Sequence, residues 1–239
     1  MTPIILTGDS HLAALRRGSD LLASAQMRDR FVFWPFGTGS IARARFHQRN
    51  PDDGSIVVDP HPLPKLVFSP ETIAQVGEDA RLVVSLPLHS ARFLRRYGWN
   101  THAPWRLADS TIALSDRVVE AMIDTDSSHP LDFIRDLVRI LPRVSVLEPP
   151  RLFATANLLD RVRPEVLTTL EETYRARIRV RLAEMAVPVI DQPPETITPD
   201  HMTDLAYDNE NPDDQHHANK TYGSLALEAI LRHVDGITA

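Results

Sequence analysis

The sequence predicts an α/β protein built on a mostly parallel sheet with helices over both faces. Two observations carry this. Short apolar runs, Ile4-Ile5-Leu6, Phe31-Val32-Phe33-Trp34, Leu82-Val83-Val84, Val144-Ser145-Val146-Leu147 and Val187-Pro188-Val189-Ile190, recur through the 239 residues. Between them lie segments whose apolar residues repeat every three or four positions, the mark of helices that bury one side. Strands alternating with helices pair in parallel, and a parallel sheet covered on both faces needs apolar side chains on both. A chain of this length suits one α/β domain, so a single domain over 1–239 is expected.

The elements follow in order. The first strand ends at Gly8, before a helical pattern with Leu12, Leu15 and Leu22 on one side. The second ends at Pro35 and a glycine-rich loop, Gly37-Thr38-Gly39. Residues 50–70, rich in Pro and Asp around Ile56-Val57-Val58 and Leu66-Val67-Phe68, read as a small excursion or hairpin. The third strand, at Leu82, leads into a long loop carrying His89, Arg92, Arg95, Arg96, Trp99, His102 and Trp105. Two helices are expected, at about 112–123 and 131–141, before the strand at Val144. A longer helix starts at Pro164, whose fixed φ suits a first turn, and carries Val166, Leu170, Tyr174, Ile178 and Leu182 on one face. After the strand at Val189, a polar stretch leads to a last helix with Tyr222, Leu225, Ala226, Ala229 and Ile230 along one stripe.

Composition narrows the function. With 43% hydrophobic residues, 24% charged and a formal charge of -6, the chain lacks the basic excess of a nucleic-acid binder. The absence of cysteine excludes disulfides, thiolate catalysis and thiolate metal sites. Met1-Thr2-Pro3 runs directly into the first strand with no basic leader, so a cytoplasmic location is expected. No apolar run approaches the ~18 residues of a membrane-spanning helix, and no membrane partner is expected.

Two short motifs carry chemistry. In an open parallel sheet, ligands bind beyond the carboxyl ends of the strands, and Ser10, in Gly8-Asp9-Ser10-His11, falls just past the first. The following helix start aims backbone N–H groups and a partial positive charge at that position, which suits an oxyanion. By itself the tripeptide also reads as a plain helix cap. Near the other end, Asp214-Gln215-His216-His217 precedes the last helix. An Asp three residues before a His can hold the imidazole in one tautomer, leaving its second nitrogen free for a serine proton. The bland alternative is a polar helix cap. Metal binding by His201, His216, His217 and the aspartates finds no ligand spacing typical of zinc, so no metal is expected.

At these residues the sequence resembles the SGNH (GDSL-like) hydrolase family, through Gly8-Asp9-Ser10 at the first strand-to-helix turn and Asp214-x-x-His217 before the last helix. The resemblance implies a flavodoxin-like three-layer α/β/α sandwich with a sheet of about five strands, a Ser-His-Asp triad, activity as an esterase, lipase or carbohydrate deacetylase, and no cofactor. The family's His is often followed two residues later by Asn. Asn219 therefore favours His217 with Asp214 over His216 with Asp213.

Two further family blocks supply oxyanion donors. Gly37 matches the first, with Gly39 as the fallback. The second, Gly-x-Asn-Asp, is absent, and His89 in Pro87-Leu88-His89-Ser90 stands about where its Asn would be. As a neutral donor His89 could take that place, or it is a surface loop residue. His11, where the family has Leu, is expected to face solvent or a neighbouring loop.

The substrate hints are weaker. Arg43, Arg45 and Arg49, and Arg92, Arg95 and Arg96, either flank the mouth of the site and favour an anionic substrate or are solvated helix faces. Trp99 and Trp105 either stack on sugar rings or pack their loop. The alternating Arg175, Arg177, Arg179 and Arg181 receive no role. The expected substrate is a short acyl ester of a carbohydrate or other small polar alcohol. The alternatives are an acyltransferase using the same residues and a non-catalytic carbohydrate-binding relative.

Overall fold

The computed structural model describes residues 1–60, 62–211, 213–214 and 216–236. Its central sheet has five strands, all parallel: β1 (Ile4–Gly8), β2 (Phe31–Pro35), β3 (Arg81–Ser85), β4 (Val144–Leu147) and β5 (Val189–Ile190), in the order β5-β4-β3-β1-β2. That is the flavodoxin-like order, in which connections run in opposite senses from β1 and from β3. The crevice at their carboxyl ends is the natural binding place.

Successive strand residues face opposite layers. Ile4, Leu6 and Val83 pack in one cluster with α1 (Leu12–Gly18) and the C-terminal helix, while Ile5, Leu82 and Val84 pack in a second cluster under the two long helices. The helices after β3 are α2 (Ala91–Arg96), α3 (Asp116–Ile140), α4 (Pro164–Glu184) and α5 (Lys220–Val234). Both faces of the sheet are thus covered, giving the three layers the resemblance implied.

Three local expectations change. The long loop after β3 contains α2 and a two-stranded parallel sheet, His102–Pro104 with Ile112–Leu114. The two helices expected at about 112–123 and 131–141 are one, α3, which runs through Pro130 without a break. Residues 47–68 form a three-stranded antiparallel sheet, His47–Arg49, Ile56–Val58 and Leu66–Phe68, a fuller version of the expected hairpin. Among the described residues, no helix is long and apolar enough to cross a membrane.

The helix that follows Ser10 packs against the helix that follows His217. At their contact, a Cβ on Gly223 would overlap the Ala14 carbonyl oxygen, and one on Gly18 would overlap the Ser224 backbone nitrogen. Only hydrogen at these positions lets the two backbones approach so closely. This contact sets the spacing between the two ends of the chain.

Candidate active site

The turn after β1 is built by steric necessity. Gly8 has φ 152°, and a side chain there would collide with the Ser85 carbonyl on β3. Asp9 then turns inward and is buried, Ser10 stays partly open, and α1 begins two residues on. On the far side of the opening, Asn219 caps α5 by accepting from the backbone N–H groups of Thr221 and Tyr222. The cap fixes the turn that carries His217.

The structure brings Ser10, His217 and Asp214 into one chain of contacts. His217 Nε2 lies 2.7 Å from Ser10 Oγ, and His217 Nδ1 lies 2.8 Å from each carboxylate oxygen of Asp214. With the carboxylate ionised, Nδ1–H donates to Asp214, and Nε2 accepts from the serine hydroxyl. Burial works against the charge on Asp214, but the hydrogen bond from His217 and the neighbouring His217 and His216 hold its pKa below the usual carboxylate value. His216 Nδ1 is 3.2 Å from Asp214 Oδ1 but has no hydrogen bond to Asp213 or Ser10 among the described residues. Its ring lies beside that of His217, with centroids 3.9 Å apart. Burial, then His217 and Arg95, push the His216 pKa down to about 4. Gln215, between these residues, lies outside the described set.

Other expected residues take different places. His89 reaches the site, but its Nδ1 is 3.1 Å from Asp9 Oδ2 and its Nε2 is 2.8 Å from His11 Nε2. Both ring nitrogens of His89 are thus engaged within the protein, which leaves no N–H for an oxyanion. His11, expected to face solvent or a neighbouring loop, is buried against the loop residue His89, and the Asp9 carboxylate accepts from its backbone N–H. Burial and the adjacent His89 depress the His11 pKa well below its ordinary value, while His11 and His89 overcome the desolvation of Asp9 and keep it ionised. The proton order follows: Asp9 accepts from His89 Nδ1–H, and His89 Nε2 accepts from His11 Nε2–H. His11 Nδ1 is left buried without a partner.

Gly37 (φ 87°) is not among the residues that line the cavity, and a Cβ there would meet Leu63 at 3.5 Å. Gly39 borders the cavity, and a Cβ there would sit 3.0 Å from Asp9 Oδ2. The cavity over Ser10, about 770 Å³, is lined by Thr38, Gly39 and Ser40 and by residues of α2. Arg43, Arg92, Arg95 and Arg96 line it, whereas Arg45 and Arg49 do not. Trp99 is buried against Phe93 and Tyr97, and exposed Trp105 donates to Asp116, so neither tryptophan forms the wall. Arg175 is also not idle: fully buried, it bridges Glu148 and Glu171 and donates to the carbonyls of Pro149 and Pro150, anchoring the chain after β4.

No protein-family model and no curated protein matches this sequence. Solved structures do match in fold. A GDSL-like lipase from Bacteroides thetaiotaomicron superposes with a TM-score of 0.50 at 11% identity, over 99% of this chain and 89% of that one. The chain has the SGNH (GDSL-like) hydrolase fold. Similar chains include a carbohydrate acetylesterase from Sinorhizobium meliloti (TM-score 0.46, 11% identity, all of both chains). An aryl esterase from M. smegmatis gives 0.45 at 15% identity, again over the whole of both.

Within this SGNH fold, two groups bring three N or O atoms within 4.8 Å of one another: Asp9, His11 and His89, and Asp214, His216 and His217. His201, the remaining candidate from the sequence, belongs to neither. In both groups hydrogen bonds already link the carboxylate to an imidazole. No local pattern signals the Asp9-His89-His11 chain, because its partners lie 78 and 80 residues apart. The Ser40 and Thr38 hydroxyls, 2.6 Å apart in the wall, were also passed over, although their place beside Gly39 was a signal.

Proposed function

We propose that the protein is a serine esterase that acts on short acyl esters of small polar alcohols, carbohydrates included. The observation that carries this reading is the 2.7 Å contact of His217 Nε2 with Ser10 Oγ, backed by Asp214. Ser10 Oγ attacks the ester carbonyl as its proton passes to His217 Nε2, and Asp214 stabilises the imidazolium. The N–H groups of Ser10, ahead of α1, and of Gly39, first in its 3-10 turn, are the donors for the oxyanion. Collapse of the tetrahedral intermediate expels the alkoxide, which takes the proton from His217. Water, deprotonated by the same nitrogen, then releases the acid and restores Ser10.

The lining supports a substrate with polar groups: hydroxyls of Thr38 and Ser40 and arginine side chains face the cavity beside Ser10. The test is hydrolysis of p-nitrophenyl acetate, together with labelling by a fluorophosphonate. Ser10→Ala should lose both while keeping the wild-type unfolding transition. Turnover or labelling equal to wild type in that variant overturns the assignment.

A further inference from the structure

We infer that the cavity over Ser10 takes an ester carrying an anionic group, which Arg43 and Arg95 meet. This deepens the esterase reading and rests on it for the position of the reacting carbonyl.

The argument starts from charge balance inside the cavity. Arginines are the charged residues of its wall, and no carboxylate lines it among the described residues. Two of the four guanidinium groups are already committed. Arg92 forms a close pair with Asp126, at 2.8 Å, and Arg96 reaches the same carboxylate at 3.8 Å. Arg43 and Arg95 have no ion pair or side-chain hydrogen bond among the described residues, although the chain carries more acidic than basic residues overall. Surrounding protein desolvates Arg95 and lowers its pKa, and the charge of Asp214 opposes this.

Position gives those two cations a use. Arg43 ends the 3-10 turn that begins at Gly39, and Arg95 lies on α2, so they reach the cavity that holds Ser10 from two separate elements. Guanidinium groups offer paired N–H donors that match the oxygens of a carboxylate or phosphate. A cleft lined with one sign of charge concentrates ligands of the other, even on a protein of net negative charge. An anion on either half of an ester bound at Ser10 would find one of the two.

Matched ester pairs test this and separate the two halves. Mono-4-nitrophenyl succinate against 4-nitrophenyl butyrate varies charge on the acyl side; 4-acetoxybenzoate against 4-acetoxybenzamide varies it on the alcohol side. In at least one pair the anionic ester should have the higher kcat/KM, by about 10- to 100-fold, the range of a hydrogen bond to a charged group. Arg43→Gln or Arg95→Gln should bring that ratio toward one. A second arm is independent of turnover: calorimetric binding to Ser10→Ala of 4-acetamidobenzoate against 4-acetamidobenzamide, and of N-(4-nitrophenyl)succinamate against N-(4-nitrophenyl)butyramide. Ratios near one throughout, or a preference that both arginine variants retain, overturn the inference and leave the esterase reading in place. Anion-selective binding without turnover of any ester does the reverse.

Discussion

Arg92 Nη2 donates to the main-chain carbonyl oxygen of Asp126 at 2.6 Å, and that carbonyl is the one left without a helical donor by Pro130, four residues on. The same guanidinium holds the Asp126 carboxylate, which is fully buried. One side chain from α2 thus replaces the missing backbone bond of α3 and neutralises a buried charge. Arg92→Ala should therefore lower the unfolding free energy by about 3–5 kcal/mol, the range for stranding one partner of a buried ion pair. Arg92→Lys should recover only part, since an ammonium cannot span the carboxylate and the carbonyl as a planar fork does. Urea denaturation reads both variants. A loss under about 1 kcal/mol for the alanine variant would free Arg92 for a role in the cavity instead.

The packing of α1 on α5 makes a second prediction. A methyl group at residue 223 would overlap the Ala14 carbonyl oxygen, so Gly223→Ala must push the two helices apart. Overpacking of this kind costs about 1–3 kcal/mol. The same displacement moves Ser10 relative to His217, and a misplacement of ~1 Å can cost ~10²-fold in rate. Ester turnover should then fall mainly in kcat, measured at a temperature where the variant remains folded. A variant with lowered stability and wild-type kcat would show that the helix contact does not set the Ser10–His217 distance.

Much of this was legible in the sequence wherever the signal is local. The strands at Ile4, Phe31, Leu82 and Val144 are apolar on both faces because both faces are covered, and that pattern survives without the structure. Ser10 and the Asp214-His217 pair were each visible in a few residues, although they meet across 207 positions. What was hidden depends on partners from elsewhere in the chain. Pro130 reads as a helix break until Arg92 supplies the absent donor. His11 reads as facing solvent or a neighbouring loop, and only the fold shows that the neighbour is His89. Gly37, preferred from the sequence over Gly39, stands two residues from it in one loop, and only the fold shows which of them borders Asp9. The segment at Ala91–Arg96 looked like a polar loop because it buries only Phe93 and Leu94.

Two adjacent histidines share Asp214, and substitution separates them. His217 alone has a nitrogen on Ser10, so His217→Ala should reduce ester turnover as severely as Ser10→Ala does. His216→Ala should have a much smaller effect. Asp214→Asn should keep the geometry but favour the wrong tautomer, with a loss of roughly 10⁴-fold in kcat by analogy with triads of known mechanism. Steady-state kinetics on p-nitrophenyl acetate rank the three. If His216→Ala proved the more damaging of the two histidine variants, the proton acceptor would have to be reassigned.

The buried Asp9-His89-His11 chain and His216 make stability fall on the acid side of neutrality. His11 is held neutral by burial and by His89, and His216 by burial with His217 and Arg95 close by, so both bind protons less readily folded than unfolded. Below an unfolded pKa near 6.5, the unfolded chain takes up those protons first, and stability declines with falling pH until the folded groups titrate, for His216 at about 4. For the fully buried His11 the slope approaches about 1.4 kcal/mol per pH unit. Asp9 acts at lower pH: its folded pKa is depressed despite burial, because His11 and His89 favour the carboxylate. Its contribution is complete above the unfolded value of 3.8 and is lost as pH falls through the depressed one. Urea midpoints measured from pH 7.5 down to 4.5 should drop steadily, and His11→Leu should flatten the upper part of that fall. An unchanged slope in the variant would place the titrating group elsewhere in the fold.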